Sequence, residues 1–341
     1  MTAPLRLRLD GQALTDNWRA LARMSGRAAC GAAIKADGYG LGAVGVAIRL
    51  ADAGCRDFFV ATWGEAAALA SLDLPVSVLH GVRAEDMDLA LSGIARPVLN
   101  TAAQVARWKA ACGGACDVMI DTGMNRLGLS VDELDLLVGL QIETLMSHLA
   151  CADEDNAMNA RQLASFATLV GRTSAKRLSL ANSAGIGLGS DYAFDLTRPG
   201  LALYGGVPRA EMGGMLAQVV TPEAQILQRR RVAAGETVGY NATWAAPRET
   251  EVAILNLGYA DGYWRGFSDK GSAEGGRFPV IGRVSMDLVA LDVSAAPLAE
   301  GDWVAIDYAL PDAAAVSGMS QYELLTGMGG RFGRCWSGTG A

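Results

Sequence analysis

The chain has 341 residues, 51% hydrophobic and 19% charged, which excludes a disordered or collagen-like polymer because enough apolar surface is present to offset the entropy of ordering. Its formal net charge of -7 opposes general binding to nucleic-acid phosphates or anionic lipid. No apolar run reaches about 18 residues, and the opening MTAPLRLRLDG lacks an uninterrupted apolar stretch and a small-residue cleavage site, so neither a membrane span nor a secretory signal is expected and the compartment reads as cytoplasmic.

From residue 10 to about 215 the sequence repeats one theme, a short apolar run followed by an Ala/Leu-rich helical stretch. Candidate strands end near Lys35, Thr62, Val82, Asn100, Asp121, His148, Asn182 and Tyr204. The runs FFVAT, VSVLHGV, RPVLN and DVMID are almost continuously apolar, as strands covered on both faces should be. Between them lie helical patterns such as TAAQVARWKAAC, with Thr101 placed to cap, and MNARQLASFATLVG. Eight such units predict an α/β fold, a (β/α)8 barrel, with a doubly wound open sheet as the alternative. From residue 216 to 341 the runs EAQILQRRRV, ETEVAILNLGY, RFPVIGRVSMDLVALDV and DWVAIDY predict a second, mainly β domain, which residues 1–9 with the alternating RLRLD would join. The six cysteines (30, 55, 112, 116, 151 and 335) show no C-x-x-C spacing and read as buried thiols in a reducing compartment, with no metal site.

Active sites of (β/α)8 barrels lie in the loops after the strands. Lys35 closes an apolar strand and enters the Gly-rich turn of AAIKADGYGLG; it is either a Schiff-base amine made nucleophilic by desolvation or a strand-end lysine reaching solvent. The fifth strand is followed by DTGMNRLGL with Arg126, the sixth by SHLACADE with His148, the seventh by ANSAG with Ser183, and the eighth region holds RPGLALYG with Arg198 and Gly200. Loops after strands seven and eight of such barrels often bind phosphate, and a hydroxyl at Ser183 and an unobstructed N–H at Gly200 suit that use. A lysine and a phosphate cup on one rim suggest pyridoxal phosphate. His80, inside an apolar run, reads as a structural histidine.

With VGYNATW, GYADGYWR, GRVSMD and QYELL added in order, the sequence resembles the alanine racemase family over nearly its whole length. The resemblance implies a pyridoxal-phosphate enzyme with a (β/α)8 barrel and a C-terminal β domain, working as a homodimer with shared active sites, on a small amino acid, without nucleic acid, membrane or metal. It implies racemisation of L- and D-alanine, supplying D-alanine for peptidoglycan. Lys35 would hold the cofactor and serve as base on one face of the substrate, and Tyr240, from the partner subunit, as base on the other. Inverting a stereocentre through a planar carbanion needs both. Without the resemblance, Tyr240 is an ordinary half-buried aromatic of a β segment.

By the same resemblance Arg198 faces the pyridine nitrogen and, having no accessible proton to give, limits side reactions. His148 would join Tyr240 to Arg198. Tyr39, Ser183, Tyr322 and the N–H groups of Gly200 and Leu201 would hold the phosphate. Arg126 and the backbone of Met286 would meet the substrate carboxylate, and Tyr259, with Asp153 and Arg283 further out, would line a narrow approach. Two positions depart from the family pattern: Met119 stands where a lysine, carbamylated in some members, often orients the arginine at 126, and Ser179 where a histidine often supports the arginine at 198. The C-terminal GMGGRFGRCWSGTGA departs as well. A serine or broad-specificity racemase is the nearest rival; a non-catalytic pyridoxal-phosphate carrier would leave the β domain without purpose, and a decarboxylase of the same plan would place an acid where Arg198 stands.

Overall fold

A computed structural model describes residues 3–337 and divides the chain into two compact units, one of residues 14–217 and one formed by residues 3–13 with 218–337. In the first unit seven parallel strands follow one another without a crossover: Ala32–Ala33, Phe58–Val60, Val76–Val78, Arg96–Leu99, Cys116–Met119, Ile142–Met146 and Arg177–Ser179. An eighth, Leu196–Thr197, pairs in parallel with Ala29–Cys30. Its flanks donate from Asp195 N to the Leu178 carbonyl and from Arg198 N to the Ala181 carbonyl, so it joins the seventh strand to the first and closes a barrel. Phe58–Val60, Val76–Val78 and Cys116–Met119 are buried at every residue, which explains why their sequences show no alternation.

The helices begin where short polar side chains can take the free N–H groups of a first turn. Thr101 Oγ1 accepts from Gln104 N at 3.2 Å ahead of Ala102–Ala110, as the sequence predicted. Asn156 caps Ala157–Ala167 at Met158 N, and Asn182 caps Ser183–Gly187 at Gly185 N. The eighth strand ends at Thr197 rather than near Tyr204: Pro199 has no N–H with which to extend a ladder, and Leu201–Tyr204 forms a 3-10 turn.

The second unit is built on a six-stranded sheet. Its path runs Val289–Asp292, Thr250–Leu255, Val220–Val232, Leu5–Asp10 and Gly333–Ser337, with Trp303–Ala305 also paired to Val220–Val232. The opening RLRLD is antiparallel to Val220–Val232 and parallel to Gly333–Ser337. The last four residues of the C-terminal segment lie outside the described residues.

Two further sequence expectations are corrected. Cys30, Cys55 and Cys116 are buried, but Cys112 and Cys335 are exposed, because Cys112 falls in the turn after a helix and Cys335 on an edge strand. His80 is exposed: the strand stops at Val78, so only its backbone is engaged, with Ala61 O and Gln104. Asn17, Gln162, Asp117 and Arg198 are buried polar groups that no apolar pattern announces. No helix among the described residues is long and apolar enough to cross a membrane.

Candidate active site

The loop after the first strand holds Lys35 in an unusual way. Ala36, Asp37, Gly38 and Tyr39 have φ of 53°, 53°, 64° and 54°, and the N–H groups of Gly38 and Gly40 donate to Ile34 O and Ala36 O at 2.8 Å, one turn of left-handed helix. Such a turn costs roughly 1–2 kcal/mol for each residue with a Cβ, so it persists only where its surroundings fix it. Glu65 Oε1 accepts from Ala36 N at 2.6 Å while its Oε2 takes Ala61 N and Thr62 N, and Asp37 Oδ1 accepts from Ala43 N at 2.8 Å. The amine of Lys35, at the head of this turn, has its pKa lowered by burial first and by the charge of Arg126 second, with Glu65 opposing. A lowered pKa leaves more of the amine in its nucleophilic form.

Arg198 is buried, with one terminal nitrogen donating to Ser179 Oγ and the other to the Ser147 carbonyl at 2.6 Å. The Ser179 hydroxyl itself donates to Leu196 O, which orients its lone pairs toward the guanidinium. Ser179, which stands where the family often has a histidine, thus accepts a hydrogen bond from Arg198. Burial pushes the Arg198 pKa down to about 10, so the side chain is still cationic at neutral pH. His148 follows Ser147 on the neighbouring strand end. Burial, and then the charges of Arg198, Arg126 and Lys35, push its pKa down to about 3, so its imidazole is neutral across the physiological range.

Ser183, Tyr39 and Gly200 meet in a neutral cup. Ser183 Oγ accepts from Gly200 N at 2.8 Å and Ala202 N at 3.2 Å, so the Gly200 N–H expected to be free is paired with the serine. A Cβ on Gly200 would stand 2.2 Å from Tyr39 Oη, so only glycine lets that phenol approach. The Tyr39 ring packs on Tyr204 at 4.8 Å. Leu201 opens the 3-10 turn, where an N–H has no partner within the turn itself.

Arg126 is exposed and has no hydrogen bond or ion pair among the described residues. Met119 is buried within its strand and offers that arginine no anion. The loop is held by its backbone: Asp121 Oδ1 accepts from Gly123 N and Asn125 N, and Gly128, at φ +130°, packs so tightly on Asp121 that a Cβ would lie 2.5 Å from its nitrogen. Asp153 is exposed.

Tyr240, Tyr259, Met286 and Tyr322 belong to the second unit. Tyr259 N donates to Ser285 O and Ala260 N to Met286 O, both at 3.0 Å, and a Cβ on Gly258 would lie 2.3 Å from the Met286 carbonyl, so these two motifs are laced together. The Tyr240 turn lies against the backbone of Arg283 through Gly239. Sequence reading missed the brace beneath them: buried Asp261 accepts from Gly258 N at 3.0 Å and from Arg331 Nε at 2.7 Å, and Arg331 also reaches Asp287. On this frame Tyr240, Met286 and Tyr322 are 66%, 54% and 45% exposed.

A family model for the N-terminal domain of alanine racemase matches residues 9–208, and one for its C-terminal domain matches residues 219–336. The chain belongs to the alanine racemase family. Its relatives include an alanine racemase of Methylobacterium nodulans, 42% identical over 96% of this chain and 95% of that protein. A catabolic alanine racemase of Agrobacterium fabrum is also 42% identical, over 97% and 91%. Among solved structures, the alanine racemase of Bartonella henselae with covalently bound pyridoxal phosphate superposes with a TM-score of 0.89 at 34% identity, covering 98% of this chain and 99% of that one. The family assignment makes this chain an amino-acid racemase with a barrel and a mainly β domain.

Proposed function

We propose that this protein racemises alanine with pyridoxal phosphate by a two-base route, supplying D-alanine for peptidoglycan. The observation that carries the reading is the barrel rim: a desolvated Lys35 amine, a neutral His148, a buried cationic Arg198 and the hydroxyl-amide cup of Ser183, Gly200 and Tyr39. These residues fit the cofactor. A primary amine of lowered pKa suits an aldehyde, the cup offers neutral donors to a phosphate, and Arg198 suits an aromatic nitrogen that is to stay unprotonated.

Bound there, the cofactor would withdraw electron density from the substrate Cα and so acidify its proton. Lys35 would exchange that proton on one face. Tyr240, supplied by a partner protomer in a homodimer, would exchange it on the other, with its 66% exposure allowing a second chain to cover it. His148, uncharged, would accept or donate a hydrogen bond toward Tyr240 without competing for its proton. Arg198 keeps its own protons at neutral pH and protonates nothing set against it. Tyr39, Ser183, Gly200, Leu201 and Tyr322 would hold the phosphate; Arg126 and the Met286 backbone would bind the carboxylate, and Tyr259 with Asp153 and Arg283 would narrow the approach.

Met119 favours a second reading. With a buried methionine in place of an orienting lysine, Arg126 has no partner among the described residues, and a looser carboxylate anchor suits a serine or broad-specificity racemase. A chiral assay of the purified protein with pyridoxal phosphate against a panel of L-amino acids decides. Alanine turned over well above serine supports the first reading, comparable rates support the second, and no racemisation of any amino acid overturns both.

A further inference from the structure

Gln162 stands in the middle of helix Ala157–Ala167 and is completely buried, yet its side chain touches two different strand-end loops. Its Nε2 donates to Thr122 Oγ1 at 3.1 Å and to the His148 carbonyl at 2.9 Å, and its Oε1 accepts from Ala150 N at 2.8 Å. Thr122 Oγ1 in turn lies 2.8 Å from Ser147 Oγ, and the Ser147 carbonyl takes the hydrogen bond from Arg198. One amide therefore spans the loop that carries Arg126 and the loop that carries His148, and through Thr122 it reaches Ser147, which holds Arg198.

We propose that Gln162 is a positioning residue that fixes His148 and the Arg126 loop in a single register. The inference rests on the racemase reading for its kinetic consequence but not for its geometry. Gln162 saturates both protons of its amide nitrogen with acceptors on separate loops. No hydrophobic residue of that size can do so, and a substituent without the amide leaves the His148 carbonyl and the Ala150 N–H without their partner. Nothing in the substrate chemistry requires a glutamine at this site; the requirement comes from the loops. A shift of about 1 Å in a positioned active-site group can cost on the order of 100-fold in rate, so loss of the clamp should appear in turnover through His148 and, to a smaller extent, in substrate binding through the Arg126 loop.

The chain has only two histidines, His80 and His148, so the imidazole nitrogen NMR spectrum of the holoprotein reports on this loop with little overlap. For Gln162→Met the His148 signals should move while those of His80 stay, kcat for alanine should fall roughly 10- to 100-fold, and KM should rise by a smaller factor because the same clamp holds the Arg126 loop. Thr122→Val, which removes only the hydroxyl between Gln162 and Ser147, carries the test if Gln162→Met does not fold, with a smaller movement of the same signals. Gln162→Glu, which retains the acceptor for Ala150 N and one donor when protonated, should fall between Gln162→Met and the parent. Unmoved His148 signals, or a kcat within twofold of the parent in a folded Gln162→Met protein, overturn the proposal. If the parent racemises no amino acid, the racemase reading fails, and the His148 signals alone still decide the role of Gln162.

Discussion

The two ends of the barrel both bury charge, and they do it in opposite ways. At the starts of the strands, Asp117 is fully buried with Ser77 Oγ at 2.6 Å and Arg96 at 3.6 Å, while Asp57 holds Arg177 at 2.6 Å. Two carboxylates there face two guanidinium groups. At the ends of the strands, three cations, Arg198, Arg126 and Lys35, act on one neutral imidazole. The first arrangement balances its charges, two against two. The second gathers positive charge at buried Arg198 and the desolvated Lys35 amine, where charge is costly, and such a surplus is tolerated when an anionic ligand completes it. Both ends are built from the same strands, so the difference lies in the residues placed at each end, within or just before the strands at their starts and on the loops at their ends, and not in the fold.

Removing Lys35 breaks the strand-end arrangement most severely. Lys35→Ala should lower racemisation on the order of 10,000-fold and abolish the visible absorbance of bound cofactor, while the melting temperature changes little. A variant that kept the absorbance would place the attachment point elsewhere. Tyr240→Phe, on the second unit, should cost about 1,000-fold, with proton exchange from one enantiomer impaired far more than from the other. An equal loss in both directions would remove the two-base reading, and exchange kinetics in heavy water measure it.

The strand-start arrangement predicts the reverse pattern, a loss of stability without a change of chemistry. Arg96→Met leaves Asp117 buried without its nearest cation and should cost about 3 kcal/mol of folding free energy by denaturant titration, with the residual kcat of folded protein unchanged. The sign of its pH dependence follows from Asp117, whose pKa burial already raises. A carboxyl with a raised folded pKa binds its proton more tightly in the folded state, so stability falls as pH climbs above the ordinary carboxylate value of about 4. Without Arg96 that decline should extend to higher pH, so the variant should be least impaired in acid. Greatest impairment in acid would mean that Asp117 is not the group left uncompensated.

This contrast also marks what the sequence could show. The barrel strands were legible because strands buried on both faces read as continuous apolar runs, and the rim residues because Lys35, Asp121, His148 and Asn182 follow directly on those runs. The eighth strand was placed seven residues too late because LALYG is as apolar as a strand, and only the missing N–H of Pro199 and the turn at Gly200 stop it at Thr197. Arg96, Asp117 and Arg177 were invisible for a different reason. Their partners sit on other strands, 40 residues apart for Ser77 and Asp117 and 120 for Asp57 and Arg177, and no local periodicity encodes such pairs. Gln162 looked like any polar residue on a helix, and Ala36, Asp37 and Tyr39 gave no sign of their left-handed turn, since that conformation is imposed by Glu65 and Asp37 contacts rather than favoured by the residues themselves.

The cup at Ser183 offers the smallest effect and the finest test of the contrast, because in the proposed reading it would handle an anion with dipoles rather than with the cations nearby. Ser183→Ala leaves the N–H groups of Gly200 and Ala202 without their common acceptor in a buried place. In the cofactor-free protein that omission is uncompensated, whereas phosphate oxygens can take the same two donors once the cofactor is bound. The variant should therefore lose melting temperature mainly in its cofactor-free form, and its affinity for pyridoxal phosphate should weaken only about 10-fold, the worth of one hydrogen bond to a charged group. If dipoles hold the phosphate, as proposed, raising the salt concentration should change the parent's affinity far less than it would at a lysine-lined site. A steep salt dependence in titrations of the cofactor-free protein would transfer the phosphate from the cup to the cations, and an equal loss of melting temperature in both forms would show that the serine supports the loop and not the ligand.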